Sequence, residues 1–165
     1  MLGRGDMIFA SVGSMLPFDR FVRSVDEWAG AHPETPVFLQ IGKGEYEPRH
    51  AEFARIVTPA DYTRRVKEAR LFVAHAGMGS ILQALEAGTP ILITPRDLAR
   101  KEITNGHQEA TITHFRDRPG ITVAETVEAL PAAIDAALAT ETSGGSLSAA
   151  APAPFLEKIA AFIAA

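Results

Sequence analysis

The sequence contains no cysteine, which excludes disulfides, thiolate metal ligands and cysteine nucleophiles. No apolar run approaches the roughly 20 residues that a membrane-spanning helix needs. The chain has 16 basic and 20 acidic residues, a balance that does not favour a protein whose main function is to bind nucleic acid. Met1–Asp6 is too short and polar for a signal peptide. We therefore expect a cytoplasmic chain that does not insert into a membrane by itself but that a partner could hold at its inner face.

What the 165 residues do contain is enough apolar material, 47%, for one core of ordinary domain size. Short apolar runs alternate with segments of helical spacing, which predicts an α/β, Rossmann-like, doubly wound parallel sheet. The predicted strands are 7–12, 37–41, 53–57, 71–74, 91–93 and 121–123. The predicted helices are 18–29, 59–69, 79–87, 105–116 and 126–139.

The composition changes near the C-terminus. Residues 1–142 form the predicted domain, and residues 143–154 are rich in Ser, Gly, Ala and Pro, as linkers are. Residues 155–165 predict an amphipathic helix whose apolar stripe is Phe155, Ile159, Phe162 and Ile163. That stripe would pack either against the chain's own sheet or against a partner.

Ligands of open parallel sheets bind beyond the carboxyl ends of the strands. Gly13-Ser14 follows the first strand, where it forms either a tight turn or part of a cleft. His75-Ala-Gly-Met-Gly-Ser80 follows the fourth strand and opens a helix. Glycines let a ligand approach the backbone, and a helix start offers unpaired N–H groups, so this loop suits a phosphate or diphosphate. The alternative is a glycine-rich turn that the histidine merely caps.

A third loop, 95–108, follows the fifth strand and ends in Asn105-Gly-His-Gln108. The amides of Asn105 and Gln108 can both donate to and accept from sugar hydroxyls. Asn105 is equally suited to a plain helix N-cap. The chain has no Asp-x-Asp pair and no metal-ligand spacing among its histidines, so we expect no metal and no resident cofactor.

Three blocks together resemble the C-terminal, donor-binding half of GT-B glycosyltransferases, and within them family 28. They are the His75–Ser80 loop, the segment from Gln83 to Pro90 and the Asn105–Gln108 segment. Ser11-Val-Gly-Ser14 and Leu16-Pro-Phe-Asp19 also resemble the start of the short bacterial exopolysaccharide subunits that consist of this half alone.

The resemblance implies a role for each loop. His75 and the amides at Gly77, Met78, Gly79 and Ser80 would bind the diphosphate of a nucleotide sugar. Gln83 stands where related enzymes carry an acidic residue for the ribose. Asn105 and Gln108 would hold the transferred sugar, and Gly13 and Ser14 would line the cleft.

The same resemblance implies a catalytic subunit of a two-part, inverting, metal-independent transferase that uses a UDP-sugar. The acceptor would be a lipid-linked saccharide in polysaccharide or glycan synthesis. The catalytic base would come from a membrane-associated acceptor-binding subunit. Two alternatives remain: a non-catalytic subunit that binds a nucleotide sugar and enhances its partner, and an α/β module without nucleotide.

Overall fold

The computed structural model describes residues 5–13, 16–97, 99–100, 102 and 107–140. These residues form one six-stranded, wholly parallel sheet with the strand order β3-β2-β1-β4-β5-β6. The strands are β1 Ile8–Ser11, β2 Val37–Gln40, β3 Glu52–Ala54, β4 Leu71–His75, β5 Ile91–Thr94 and β6 Ile121–Val123. Five of the six follow the predicted apolar runs closely, and the doubly wound fold predicted from the alternating pattern is confirmed.

Helices cover both faces of the sheet. They are α1 Asp19–Ala31, α2 Pro59–Glu68, α3 Met78–Ala87, α4 His107–Phe115 and α5 Leu130–Ala139. One apolar cluster joins the sheet to α1 and α5 through residues such as Val25 and Ile134, and the other joins it to α2, α3 and α4 through residues such as Ile81 and Phe115. The central strand β1 serves both clusters, because Ile8 and Ala10 face one side and Phe9 the other.

The strand order reverses between β1 and β4. From β1 the chain winds outward through β2 to β3, then crosses back to β4 and continues outward through β5 to β6. The carboxyl ends of β1 and β4 therefore lie side by side at the topological switch point, where open α/β sheets leave a crevice. Gly13 lies in the loop that leaves β1, and His75–Ser80 runs from the last residue of β4 through the first turn of α3.

The third strand differs from the expectation of a buried apolar run. It spans only Glu52–Ala54 and lies at the edge of the sheet, with Phe53 37% exposed and Ile56, just beyond it, 63% exposed. An edge strand has a neighbour on one side only, so an apolar run there need not be buried.

The segment predicted as one helix over 126–139 is divided in two. A single 3₁₀ turn, Val127–Ala129, is capped by the Thr126 hydroxyl and precedes α5. Pro131 stands in the first turn of α5, a position that does not require its missing N–H.

Four predicted features fall outside the described residues: Ser14, Asn105, the linker over 143–154 and the terminal helix over 155–165. Among the helices that the structure describes, none combines the length and the hydropathy that crossing a bilayer requires.

Candidate functional site

The imidazole of His75 sits between two glycines at the switch point. A Cβ atom added at Gly13 would lie 2.7 Å from Nε2 of the ring, and one added at Gly77 would overlap Cε1. Gly13 also has a φ of 78°, which side-chain-bearing residues rarely adopt. Both glycines therefore make room for the histidine ring. For Gly77 this reason differs from both sequence interpretations, a ligand-binding loop and a glycine-rich turn that the histidine caps.

Gly79 differs from these two glycines. A Cβ atom there would meet nothing within 4 Å. Packing within the described chain therefore gives no reason for glycine at this position of α3, where alanine would favour the helix. Open space beside the first turn of the helix is what the close approach of a ligand would require.

Helix α3 begins without a side-chain cap. Its N-cap, Gly77, has extended backbone, and no acidic residue stands in the first turn. The Met78 side chain packs against an apolar cluster, and the buried Ser80 hydroxyl hydrogen-bonds with Tyr62. The Ser80 hydroxyl is therefore already engaged inside the protein. What the first turn offers a ligand is its backbone N–H groups and the positive end of the helix dipole.

His75 is a neutral side chain in this setting. Burial, reinforced by the charge of Arg96, lowers its pKa from 6.5 to about 4. Its Nδ1 lies 3.1 Å from Nε2 of Gln108, at the start of α4. No described residue is hydrogen-bonded to its Nε2, the nitrogen beside Gly13. The ring therefore has one nitrogen engaged within the protein and one, beside Gly13, for which the described residues provide no partner.

Arg96 connects three loop segments by hydrogen bonds. It was not identified as a site residue from the sequence. Its guanidinium donates to the backbone carbonyls of Val12, Pro17 and Glu102 and lies 4.9 Å from the centre of the Phe18 ring. Burial lowers its pKa to about 10, so it stays charged at neutral pH. A lone arginine in a polar stretch carries no sequence signal that separates it from surface arginines.

Because the bonds of Arg96 go to carbonyls, no carboxylate among the described residues forms an ion pair with it. The nearby Glu102 carboxylate accepts instead from Arg20 and from the Asp97 N–H. The Arg96 charge acts on His75, whose pKa it helps to lower, and the Glu102 carboxylate offsets part of this charge.

Gln83 lies apart from these residues. It lines a groove between α2 and α3 together with Thr63, Val66, Lys67, Glu86 and Ala87. Its Oε1 is buried and has no hydrogen-bond partner among the described residues. An acceptor in that state suits a donor from outside, and a ribose hydroxyl is such a donor.

Thr94, at the end of β5, is the register partner of His75. Its hydroxyl is fully buried and, like Gln83 Oε1, has no partner among the described residues. A threonine at a strand end gives no sequence signal of this kind.

The structure therefore brings four of the predicted residues together: Gly13, His75, Gly77 and Gln108. It leaves Gly79 open beside them and places Gln83 along the neighbouring groove. The amide of Gln108 is engaged at both ends and the residue is only 8% exposed, so its contact with a sugar remains a prediction.

Solved structures similar to this fold are glycosyltransferases. They include the glycotransferase of kitacinnamycin, with 19% identity, a TM-score of 0.58 and coverage of 95% of this chain and 38% of that chain. UDP-glucose: anthocyanidin 3-O-glucosyltransferase, solved in complex with UDP, has 15% identity, a TM-score of 0.61 and coverage of 82% and 32%. MurG of Acinetobacter baumannii has 18% identity, a TM-score of 0.58 and coverage of 84% and 42%. The fold is thus that of the Rossmann-like half of a GT-B glycosyltransferase.

The family is defined more narrowly by sequence. Residues 7–162 match the glycosyltransferase family 28 C-terminal domain, and the chain belongs to this family. No curated protein matches the chain. The chain spans less than half the length of each of the three solved proteins.

Proposed function

We propose that this chain is the donor-binding, catalytic subunit of a two-part, inverting, metal-independent glycosyltransferase that uses a UDP-sugar. The observation that carries the proposal is the pairing of a neutral His75 with the uncapped start of α3 at the switch point of a family 28 domain. One of the similar folds was solved with UDP, which supports the same class of donor here.

The chemistry follows from what the crevice offers. When a sugar leaves a nucleoside diphosphate, negative charge grows on the departing phosphate. Fixed N–H donors and a helix N-terminus stabilise such charge without having to reorganise during the reaction. His75 Nε2 and the first-turn amides of α3 would form this set, and the positive charge of Arg96, which acts on His75, would add to it.

The acceptor side is proposed to lie on another subunit. The described domain corresponds to one half of the GT-B fold, in which the reaction takes place in the cleft between two halves. We propose that a membrane-associated subunit binds a lipid-linked saccharide and supplies the catalytic base, as in polysaccharide or glycan synthesis. This chain would then act at the inner face of the membrane through that partner.

Calorimetry with UDP tests the donor site. His75→Ala should weaken UDP binding by about 10- to 100-fold, because a hydrogen bond to a charged phosphate contributes about 1.5–3 kcal/mol. His114→Ala is the matched control, since His114 is exposed on α4. Equal affinity of wild type and His75→Ala would remove the histidine from the site.

Turnover tests the catalytic role. We expect the purified chain to bind UDP yet transfer sugar only when the acceptor-binding subunit is present, because a half-site cannot orient both reactants. In the assembled pair, His75→Ala should lower kcat. If the pair instead turned over at an unchanged rate with that variant, the chain would be a non-catalytic subunit that enhances its partner.

A further inference from the structure

We propose that Gln108 is a positioning residue that fixes the His75 ring with its hydrogen on Nε2, so that this nitrogen donates toward the Gly13–Gly77 side of the crevice. The inference rests on the proposed function in one respect: it specifies how the diphosphate donor is prepared. It does not need a ligand to be tested.

The orientation of the Gln108 amide is set by a backbone group. The N–H of Arg96 lies 2.8 Å from Oε1 of Gln108. An N–H group can only donate, so the amide must turn its oxygen toward Arg96 and its NH₂ group the other way. That NH₂ group, Nε2 of Gln108, is 3.1 Å from His75 Nδ1.

The orientation of the amide then decides the tautomer of the ring. An amide NH₂ group donates and cannot accept, so His75 Nδ1 must be the acceptor and carries no hydrogen. In a neutral imidazole the hydrogen then sits on Nε2. Burial and the charge of Arg96 hold the pKa of His75 at about 4, so the ring is neutral near pH 7.

The His75 ring is held between two glycines. A Cβ atom at Gly13 would lie 2.7 Å from Nε2, and one at Gly77 would overlap the Cε1 edge of the ring. Among the described residues nothing accepts a hydrogen bond from Nε2. The hydrogen bonds from the Arg96 N–H through Gln108 to His75 therefore end in an Nε2–H donor for which the described residues provide no acceptor, at the switch point between β1 and β4.

This role differs from a direct contact between Gln108 and the transferred sugar. Gln108 is 8% exposed, and both ends of its amide are engaged inside the protein. A sugar contact would use the second hydrogen of Nε2 or displace one of these bonds. Tautomer control needs neither.

Nitrogen NMR of the histidine side chains, recorded at pH 8 without ligand, tests the proposal. In the wild type we expect His75 Nε2 to carry the ring hydrogen and Nδ1 to be bare. In Gln108→Glu a carboxylate faces Nδ1 and can only accept, so the hydrogen should appear on Nδ1 and the pKa of the ring should rise. Gln83→Glu makes the same chemical change in the α2–α3 groove and should leave the His75 signals unchanged.

A wild-type spectrum with the hydrogen on Nδ1 would overturn the proposal, even if Gln108→Glu fails to fold. So would a folded Gln108→Glu variant that keeps the wild-type tautomer. Because no nucleotide is present, these results stand apart from the UDP titrations. Wild-type protein with the expected tautomer but no affinity for UDP would refute the proposed function and leave the role of Gln108 intact.

Discussion

Helices α2 and α3 each follow a parallel strand, so both begin at the carboxyl edge of the sheet, but their N-termini are completed differently. The Thr58 hydroxyl caps α2 by accepting from the Asp61 N–H at 3.2 Å. Asp61 also places a carboxylate in that first turn, where Arg65 and Arg64 lower its pKa through hydrogen bonds. At α3 the matching positions are Gly77 and Ser80, which provide neither cap nor charge.

At α2 the protein itself provides a cap and a negative charge for the first-turn N–H groups, whereas at α3 it provides neither. The first amides of a helix need acceptors, and an anion near them is stabilised by the dipole. Helix α2 has its own anion, whereas α3 has open space at Gly79 and a neutral histidine beside it. The comparison predicts that anionic ligands bind at the N-terminus of α3 in preference to that of α2. An acidic residue introduced into the first turn of α3 should abolish this preference.

The largest expected effect comes from Gly79→Asp, which gives α3 an acid in its first turn. UDP binding should fall by about 100-fold or more, because charge-assisted bonds of about 1.5–3 kcal/mol each are replaced by repulsion. The helix itself should gain about 0.3–1 kcal/mol from the dipole. Calorimetry and thermal unfolding measure the two changes, and Gly79→Asn is the uncharged control.

An Asp variant that binds UDP as well as its Asn control would show that the first turn of α3 does not hold the phosphates. A loss of stability in both variants would show instead that the open space at Gly79 is needed by the protein itself.

The second effect is a pH dependence of stability due to His75. With a pKa of about 4 in the folded state against 6.5 unfolded, the unfolded chain binds more protons between these values. Stability should therefore fall as pH drops from 6.5 to 4, by up to about 3 kcal/mol. Denaturant unfolding of wild type and His75→Gln isolates this contribution: the wild type should lose stability relative to the variant over that range. A constant difference would contradict the lowered pKa.

At the other helix, Thr58→Ala should cost about 1 kcal/mol of folding stability, the usual effect of losing an N-cap. UDP affinity should stay at the wild-type value, because the Asp61 carboxylate still places a negative charge in the first turn of α2. Urea unfolding measures the change in folding stability, and calorimetry measures the UDP affinity. Weaker UDP binding would mean that the ligand also reaches α2.

The smallest effect concerns Gln83, in the groove between the two helices. Gln83→Glu should tighten UDP binding by about tenfold or less, since a carboxylate accepts from a ribose hydroxyl more strongly than an amide does. The gain should vanish for a 2′,3′-dideoxy analogue. The same gain for both ligands would show that Gln83 does not touch the ribose.

The sheet could be predicted from the sequence because buried parallel strands consist of continuous apolar runs. The runs at 71–74 and 91–93 lie in the centre of the sheet and are fully buried. The pattern misplaced the bounds of β3, because at an edge the partner is solvent and an apolar residue such as Ile56 can stay exposed. The single helix predicted over 126–139 was wrong for a local reason, the 3₁₀ turn before Pro131.

The loops that form the candidate site could be predicted from the sequence, but the hydrogen bonds between its side chains could not. His75, Gly77 and Gly79 are neighbours in sequence, so a motif can point to them. Arg96 and Gln108 act through contacts made across the fold, to Val12, Pro17 and His75. No residue pattern records that the Gln108 amide bonds to the Arg96 N–H and to the His75 ring, so only the folded geometry shows it.

The most direct test of the account is to follow the backbone amides of α2 and α3 by NMR while UDP is added. The amides of Met78, Gly79 and Ser80 should shift most, together with the His75 ring, while Ala60 and Asp61 at the start of α2 stay in place. UDP that shifts both helix starts equally, or that leaves residues 78–80 unmoved while it binds, would contradict the claim that α3 is the one open to the diphosphate.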